Sequence, residues 1–216
     1  MSQWKYLVPL VVVLLISMML HEIAHGYVAY RLGDPTAKSR GRLSLNPLVH
    51  LDVFGTAMFV ITYLAGGFIF GWAKPIPVSP YYFKNRQRGM ALVGIAGPLT
   101  NFAIAVIFWA ILTLSKSYFS QAGDIRFAIG TILLLAFQVN VVLGIFNLIP
   151  IPPLDGSRVL GAFLPRRAYQ AWVSIDRYGS YIMIALLVLI FYSGLRNYLN
   201  DGYRVLFHWL LPYYYG

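Results

Sequence analysis

Long apolar runs separated by short polar loops dominate the chain. The clearest runs cover residues 6–20, 94–114, 127–146 and 181–191. A run of about 20 apolar residues is long enough to cross the ~30 Å hydrocarbon core of a bilayer. The pattern therefore predicts helices over residues 4–31, 90–115, 125–147 and 178–195, in a protein whose main solvent is lipid.

Residues 53–73 are also apolar, but glycines at four positions interrupt them. We interpret this segment as re-entrant, because irregular backbone at membrane depth is tolerated where protein or water covers it. Three prolines make residues 74–80 extended, and the aromatic tail from Tyr203 is expected at the membrane interface. The predicted fold is an all-α multi-spanning membrane protein with about four transmembrane helices plus this re-entrant or extended segment. Its length predicts one integral-membrane domain over residues 1–216.

The distribution of basic residues predicts which side of the membrane each loop faces. The chain carries 17 basic and 7 acidic residues, a net charge of +10. If residues 53–73 enter and leave on one side, 12 of the 17 basic residues share that side and 5 lie opposite. The positive-inside rule places the 12 in the cytoplasm. We therefore predict a multi-pass protein of the cell membrane and no nucleic-acid partner.

Composition limits the available chemistry. Hydrophobic residues make up 59% of the chain and charged residues 11%, against roughly 25% charged in soluble domains. Cysteine is absent from the sequence, which excludes disulfides and thiolate ligands. Any metal site must therefore use histidine or carboxylate groups.

An H-E-x-x-H motif at residues 21–25 provides such groups inside the first helix. Positions i and i+4 of a helix lie about 40° apart, so His21 and His25 can hold one Zn²⁺. Glu22 lies beside them as a candidate general base for a zinc-activated water. Fifteen apolar residues precede His21, which places it about 22 Å along the helix and still within the hydrocarbon. Ionisable groups at that depth are costly and usually functional.

A catalytic zinc usually has three protein ligands and one open position. Asp155 follows a proline-rich break at the end of an apolar helix and precedes Gly156, so its carboxylate can turn inward. Asp52 and His50 are the rival candidates. The residues alone leave this choice open.

Three motifs in order resemble the site-2 protease family of intramembrane zinc metalloproteases. They are the H-E-x-x-H motif, A-G-P-L-T-N at residues 96–101, and N-L-I-P-I-P-P-L-D-G at residues 147–156. Together they cover roughly residues 15–160. The chain is similar to the compact members, with no room for the PDZ domain that many members insert.

The resemblance implies that His21, His25 and Asp155 bind zinc and that Glu22 is the general base. It also implies that Asn147 acts near the reacting carbonyl, with helix capping as the alternative. Asn101 is expected to be structural, bonding backbone where Gly97 lets helices approach closely.

The leading functional hypothesis is hydrolysis of peptide bonds in or near the transmembrane segments of membrane-anchored substrates, on the cytoplasmic side. Residues 74–78 could pair with an unwound substrate as an added strand. A metal transporter is the alternative, but transporters tend to place several acidic or histidine sites along a path. A non-catalytic membrane-protein binder is the third, although such a protein has no need for Glu22 and both histidines.

Overall fold

Helices account for nearly all regular structure in the part of the chain that the structure describes. The computed structural model describes residues 4–66, 71–119, 125–192 and 195–215. Its α-helices are α1 Trp4–Arg31, α2 Thr36–Ser39, α3 Val53–Gly66, α4 Arg86–Leu114, α5 Lys116–Phe119, α6 Ile125–Asn147, α7 Asp155–Gly161, α8 Arg166–Ser174, α9 Gly179–Tyr192, α10 Leu195–Leu210 and α11 Pro212–Tyr215. Short 3-10 helices cover Pro47–His50, Pro80–Tyr82 and Ile175–Tyr178. These residues contain no strand, and the all-α fold class is confirmed.

Three helices are long and apolar enough to cross a membrane, namely Leu7–Arg31 of α1, Arg86–Leu114 and Ile125–Asn147. They agree with the first three predicted spans to within four residues. The predicted fourth span corresponds to α9, which has 14 residues. A helix of that length is about 21 Å long, shorter than the ~30 Å core. The predicted span continues into residues 193–194, which lie outside the described residues.

The end of α1 is set by glycine and by a buried carboxylate. Gly33 has a φ of 105°, the left-handed conformation that commonly closes a helix. Asp34, the next residue, is fully buried. Its carboxylate accepts hydrogen bonds from the backbone N–H groups of Thr36 (2.9 Å) and Ser79 (2.6 Å). Asp34 therefore ties the end of α1 to the extended stretch that precedes α4.

Helix α4 lies at the centre of the arrangement and packs against α1, α6 and α7. The last turns of α1 meet the first turns of α4, where Ala29, Phe83 and Val93 form a buried cluster. The two helices are therefore antiparallel neighbours. Helix α6 returns beside α4, so its C-terminal end lies near the start of α4 and delivers the chain to α7.

The segment that we interpret as re-entrant has its two described ends close together. A Cβ on Gly55, near the start of α3, would lie 2.0 Å from the carbonyl oxygen of Trp72. The Lys74 N–H donates to the His50 carbonyl at 2.8 Å. Both contacts agree with a segment that leaves on the side from which it entered. Residues 67–70, within the predicted range 53–73, lie outside the described residues, and residues 71–79 contain no helix.

One face of the C-terminal tail packs on the core, and its location at the membrane interface stays a prediction. Phe207 of α10 is fully buried, and Leu211 is 4% exposed. Both pack with Leu112 of α4 and Phe137 and Val141 of α6 in one apolar cluster. The Leu210 carbonyl accepts a hydrogen bond from the indole of Trp109 at 2.9 Å. The tail therefore contributes core packing at the end of α4 that lies away from α7.

Candidate metal centre

Three predicted ligands meet between α1 and α7. The Nε2 atoms of His21 and His25 lie 2.9 Å apart. The Asp155 Oδ2 atom lies 3.0 Å from the His21 Nε2 and 3.1 Å from the His25 Nε2. All three residues are buried, with 4–6% of their surface exposed. One cluster thus joins residues that are 134 positions apart in sequence.

Two glycines of α4 make the close approach possible. A Cβ on Gly97 would lie 2.5 Å from the imidazoles of both His21 and His25, so only glycine leaves room for the rings. A Cβ on Gly94 would lie 3.0 Å from the Asp155 carbonyl oxygen. The backbone of α4 is therefore the surface against which the whole cluster rests.

The turn before α7 aims the carboxylate. A Cβ on Gly156 would lie 2.1 Å from the Leu148 carbonyl oxygen, so the chain can double back after α6 only with glycine there. Asp155 is the first residue of α7 and its side chain faces the imidazoles. The expectation that Gly156 frees the backbone at this point agrees with this contact.

The tautomer of His25 is fixed by a backbone carbonyl. Its Nδ1–H donates to the Val93 carbonyl oxygen of α4 at 2.6 Å. A carbonyl can only accept, so the proton of the neutral ring is on Nδ1. The Nε2 lone pair then points into the cluster, which is the arrangement that a metal ligand needs.

The tautomer of His21 is fixed by a relay of side chains. The Asn140 Nδ2 donates to the Ala136 carbonyl at 2.8 Å and to the Ser17 Oγ at 2.9 Å, which leaves the Asn140 Oδ1 as an acceptor. That oxygen accepts from the Asn101 Nδ2 at 2.9 Å. The Asn101 Oδ1 therefore faces the His21 Nδ1, at 2.5 Å, and accepts its proton. The His21 Nε2 lone pair is again left for the cluster.

This donor set fits zinc. Two nitrogen lone pairs and a carboxylate oxygen converge within 3.1 Å and repel one another unless a cation lies between them. Two histidines and one carboxylate are a common ligand set for catalytic zinc. Tetrahedral zinc at 2.0–2.1 Å keeps its ligand atoms about 3.3 Å apart. Outward shifts of a few tenths of an ångström would therefore seat the ion.

Asp155 is an anion in this setting. Burial raises the pKa of its carboxyl, and the positive charge of Arg158 is among the causes that lower it by more. The Arg158 Nη1 lies 3.4 Å from the Asp155 Oδ1, the oxygen that faces away from the histidines. The net pKa lies below the ordinary aspartate value. The carboxylate is therefore available as an anionic ligand.

Glu22 lies beside the cluster. One of its carboxylate oxygens lies within 4.8 Å of a nitrogen of each histidine, and its Oε2 accepts a hydrogen bond from the Ile76 N–H at 2.8 Å. By this distance criterion Glu22 could itself be a third ligand. Asp155 lies nearer to both histidines, at 3.0 and 3.1 Å. The Ile76 N–H thus orients the Glu22 carboxylate beside the histidines.

The other candidates make their bonds elsewhere. The Asp52 Oδ1 accepts from the Gly55 N–H at 2.8 Å and so caps α3. The His50 Nε2–H donates to the Ser44 carbonyl at 2.8 Å. The Asn147 side-chain amide donates to the Leu143 carbonyl of its own helix at 3.0 Å.

Several contributing groups were missed or misassigned. Asn101 was expected to bond backbone, but its partners are the side chains of His21 and Asn140. Asn140 and Ser17 were not singled out, although Asn140 is fully buried within an apolar helix. A polar residue in the middle of a membrane-spanning run is the signal that could have identified Asn140.

Removing the Asn101 acceptor is expected to weaken zinc binding. In Asn101→Leu the His21 ring loses the partner that fixes its tautomer, and such changes cost about 10- to 100-fold in metal affinity. Zinc affinity is measured by competition with a chromogenic chelator. Asn147→Leu is the matched control, because that amide bonds only its own helix in this structure. Equal affinities for wild type and Asn101→Leu would show that the relay does not support the ligand.

Similarity to known proteins identifies the family of this chain. The family model described as peptidase family M50 matches residues 9–190, from α1 into α9. The chain belongs to peptidase family M50. Its resemblance to site-2 proteases is confirmed. As an M50 protein with three spanning helices it is a multi-pass membrane protein and a zinc metalloprotease.

Individual M50 relatives support this assignment. The chain is 41% identical over 186 residues to YwhC of Bacillus subtilis (strain 168), covering 83% of this chain and 80% of that protein, whose name assigns it provisionally to the zinc metalloproteases. It is 30% identical over 174 residues to Rip2 of Mycolicibacterium smegmatis, and the match covers 81% of this chain and 64% of Rip2. The name of Rip2 makes the same provisional assignment. Zinc metalloprotease MJ0392 of Methanocaldococcus jannaschii is 29% identical over 158 residues, 73% of this chain and 35% of that protein. No solved structure matches the chain.

Proposed function

We propose that this zinc metalloprotease hydrolyses peptide bonds within or beside the transmembrane segments of membrane-anchored proteins. The observation that carries the proposal is the depth of the cluster. His21 lies ten residues, about 15 Å, before the end of the 25-residue spanning part of α1. Its partner groups Val93 and Gly97 lie inside the spanning helix α4. A protease whose metal ligands lie at that depth meets substrates in the bilayer.

In the proposed mechanism His21, His25 and Asp155 hold the metal. Zinc bound there would act as a Lewis acid and would lower the pKa of the attacking water toward ~7. Glu22 takes a proton from the attacking water and passes it to the leaving amine. The hydrogen bond from the Ile76 N–H holds its carboxylate in place. A role for Asn147 in orienting the substrate carbonyl stays a prediction.

We also propose that the site opens toward the cytoplasm and that residues 1–216 act as one membrane domain. His25 lies six residues, about 9 Å, before Arg31, and α4 begins at the same end. That end carries the basic loops that the positive-inside rule assigns to the cytoplasm. The ligand cluster and its relay draw on α1, α4, α6 and α7, which supports a single functional unit.

The proposed activity is tested with purified protein in liposomes. A single-span substrate and a soluble peptide of its extramembrane sequence are offered in parallel, before and after zinc removal by a chelator. We expect cleavage of the single-span substrate only, lost with the chelator and restored by zinc. Cleavage of the soluble peptide at an equal rate would argue against substrates in the bilayer.

The extended stretch before α4 is proposed to lie along the substrate, as an added strand would require. The edge of this stretch that faces the protein is already hydrogen-bonded. The Lys74 N–H donates to the His50 carbonyl, and the Ile76 N–H donates to the Glu22 carboxylate. Prolines at 75 and 77 leave the opposite edge without donors at those positions, so a substrate strand there must donate to carbonyls.

Replacing Ile76 by proline is expected to lower the cleavage rate without loss of zinc. The change removes the N–H that bonds Glu22, and a hydrogen bond to a charged group is worth about 1.5–3 kcal/mol, or roughly 10- to 100-fold in rate. Ile76→Val keeps the N–H and most of the buried side chain and is the matched control. Both variants are compared in the liposome assay with zinc content measured. Equal rates for the two would mean that this donor does not position Glu22.

A further inference from the structure

A basic cleft lies between the end of α1 and the start of α4, away from the metal centre. Its volume is about 360 Å³, and Arg31, Lys84 and Arg88 line it together with apolar Leu32 and Phe83. The three cations are exposed. None of the described residues that line the cleft is acidic.

The first turn of α4 adds to the positive charge around the cleft. Helix α4 has 29 residues and begins at Arg86, where Asn85 accepts a hydrogen bond from the Arg88 N–H at 3.0 Å. The N-terminal end of a helix carries a partial positive charge from its unpaired N–H groups. Three cations and this helix end surround one cavity, so the cleft favours a phosphate-sized anion.

An apolar stripe leads from the cleft along α4. Leu92 lines the cleft, and Leu99 and Val106 follow at seven-residue intervals, with exposed fractions of 52%, 55% and 61%. Seven residues fall only about 20° short of two turns, so the three side chains share one face. They extend over about 21 Å, more than the ~15 Å depth of one leaflet's hydrocarbon.

We propose that the cleft binds the headgroup phosphate of an anionic phospholipid whose acyl chain lies along the Leu92–Leu99–Val106 stripe. The cleft lies where two membrane-spanning helices end, which is the level of lipid headgroups. A free phosphate would satisfy the cations but would leave the stripe unused. The combination of charge at one end and an apolar face leading away from it matches a lipid.

Native mass spectrometry of the purified zinc-loaded protein tests this proposal. The protein is titrated with phosphatidylglycerol and with phosphatidylcholine of the same acyl chains. We expect one phosphatidylglycerol to be retained at least about tenfold more tightly than phosphatidylcholine. The variant Arg31→Gln/Lys84→Gln/Arg88→Gln is expected to lose this preference. If the triple variant does not fold, the double variant Lys84→Gln/Arg88→Gln replaces it. This double variant is expected to weaken the preference for phosphatidylglycerol.

The matched control Arg40→Gln/Arg166→Gln/Arg167→Gln removes the same charge from exposed positions outside the cleft and is expected to keep the preference. Equal loss of the lipid preference in both triple variants would show that the preference depends on general surface charge. That result would overturn the proposal. So would equal retention of the two lipids by wild type. Displacement of phosphatidylglycerol by equimolar glycerol phosphate would instead show a site for soluble anions and also overturn it.

Discussion

Glu22→Gln is expected to lower peptide-bond cleavage by about 10²- to 10⁴-fold, the range that a general acid–base contributes. The glutamine side chain has the same shape and its carbonyl oxygen can still accept the Ile76 N–H, but it cannot take up a proton. Because His21, His25 and Asp155 are untouched, zinc content should stay equal to that of wild type. Cleavage of a reconstituted single-span substrate and zinc content are measured on the same preparations.

The control for this experiment is Asp52→Asn, a carboxylate-to-amide change at a residue that caps α3 instead of contacting the histidines. It should leave cleavage within about a factor of three, since its effect is confined to a helix cap. If Glu22→Gln cuts at the wild-type rate, Glu22 is not the general base. If it loses zinc as well as activity, Glu22 belongs to the ligand set, as its proximity to both histidines would allow.

Asp155→Ala is expected to weaken zinc binding by more than about 100-fold. Changes to groups that only support a ligand cost about 10- to 100-fold, and this change removes the proposed carboxylate ligand itself. His21 and His25 would remain as a two-ligand site, which is too few for a stable catalytic zinc. The measurement is zinc affinity by chelator competition, followed by the absorption spectrum of the cobalt-substituted protein.

Asp52→Ala is the matched control for that loss, because Asp52 was the rival third ligand in the sequence. It should keep wild-type zinc affinity and lose only about 1 kcal/mol from its helix cap. An unchanged affinity in Asp155→Ala would remove Asp155 from the ligand set. A loss in Asp52→Ala that matched that of Asp155→Ala would support the rival assignment.

Periodicity and apolar length were enough to predict the helices that cross the membrane. Predicted helices at 4–31 and 125–147 coincide with α1 and α6, because bilayer thickness fixes the length of an apolar run. The helix α10 was less visible. It mixes charged residues such as Arg204 and Asp201 with Phe207, and only its packing on α4 and α6 shows which face is buried.

The local part of the metal centre was visible in the sequence for a similar reason. Helix geometry alone brings His21 and His25 together, since they are one turn apart. Asp155 required the resemblance, because no local rule relates residues 134 positions apart. The relay through Asn140 was missed, since a single asparagine in a helix gives no indication of its partner until α1, α4 and α6 are packed.

The position of the cleaved bond shows whether this protein cuts its substrates within the bilayer. Wild-type protein and a single-span substrate are reconstituted together with zinc, and the masses of the product termini are measured. We expect new termini within the transmembrane segment or within a few residues of its cytoplasmic end, and none with Glu22→Gln. Cleavage confined to sites far from the membrane, or identical products from Glu22→Gln, would contradict it.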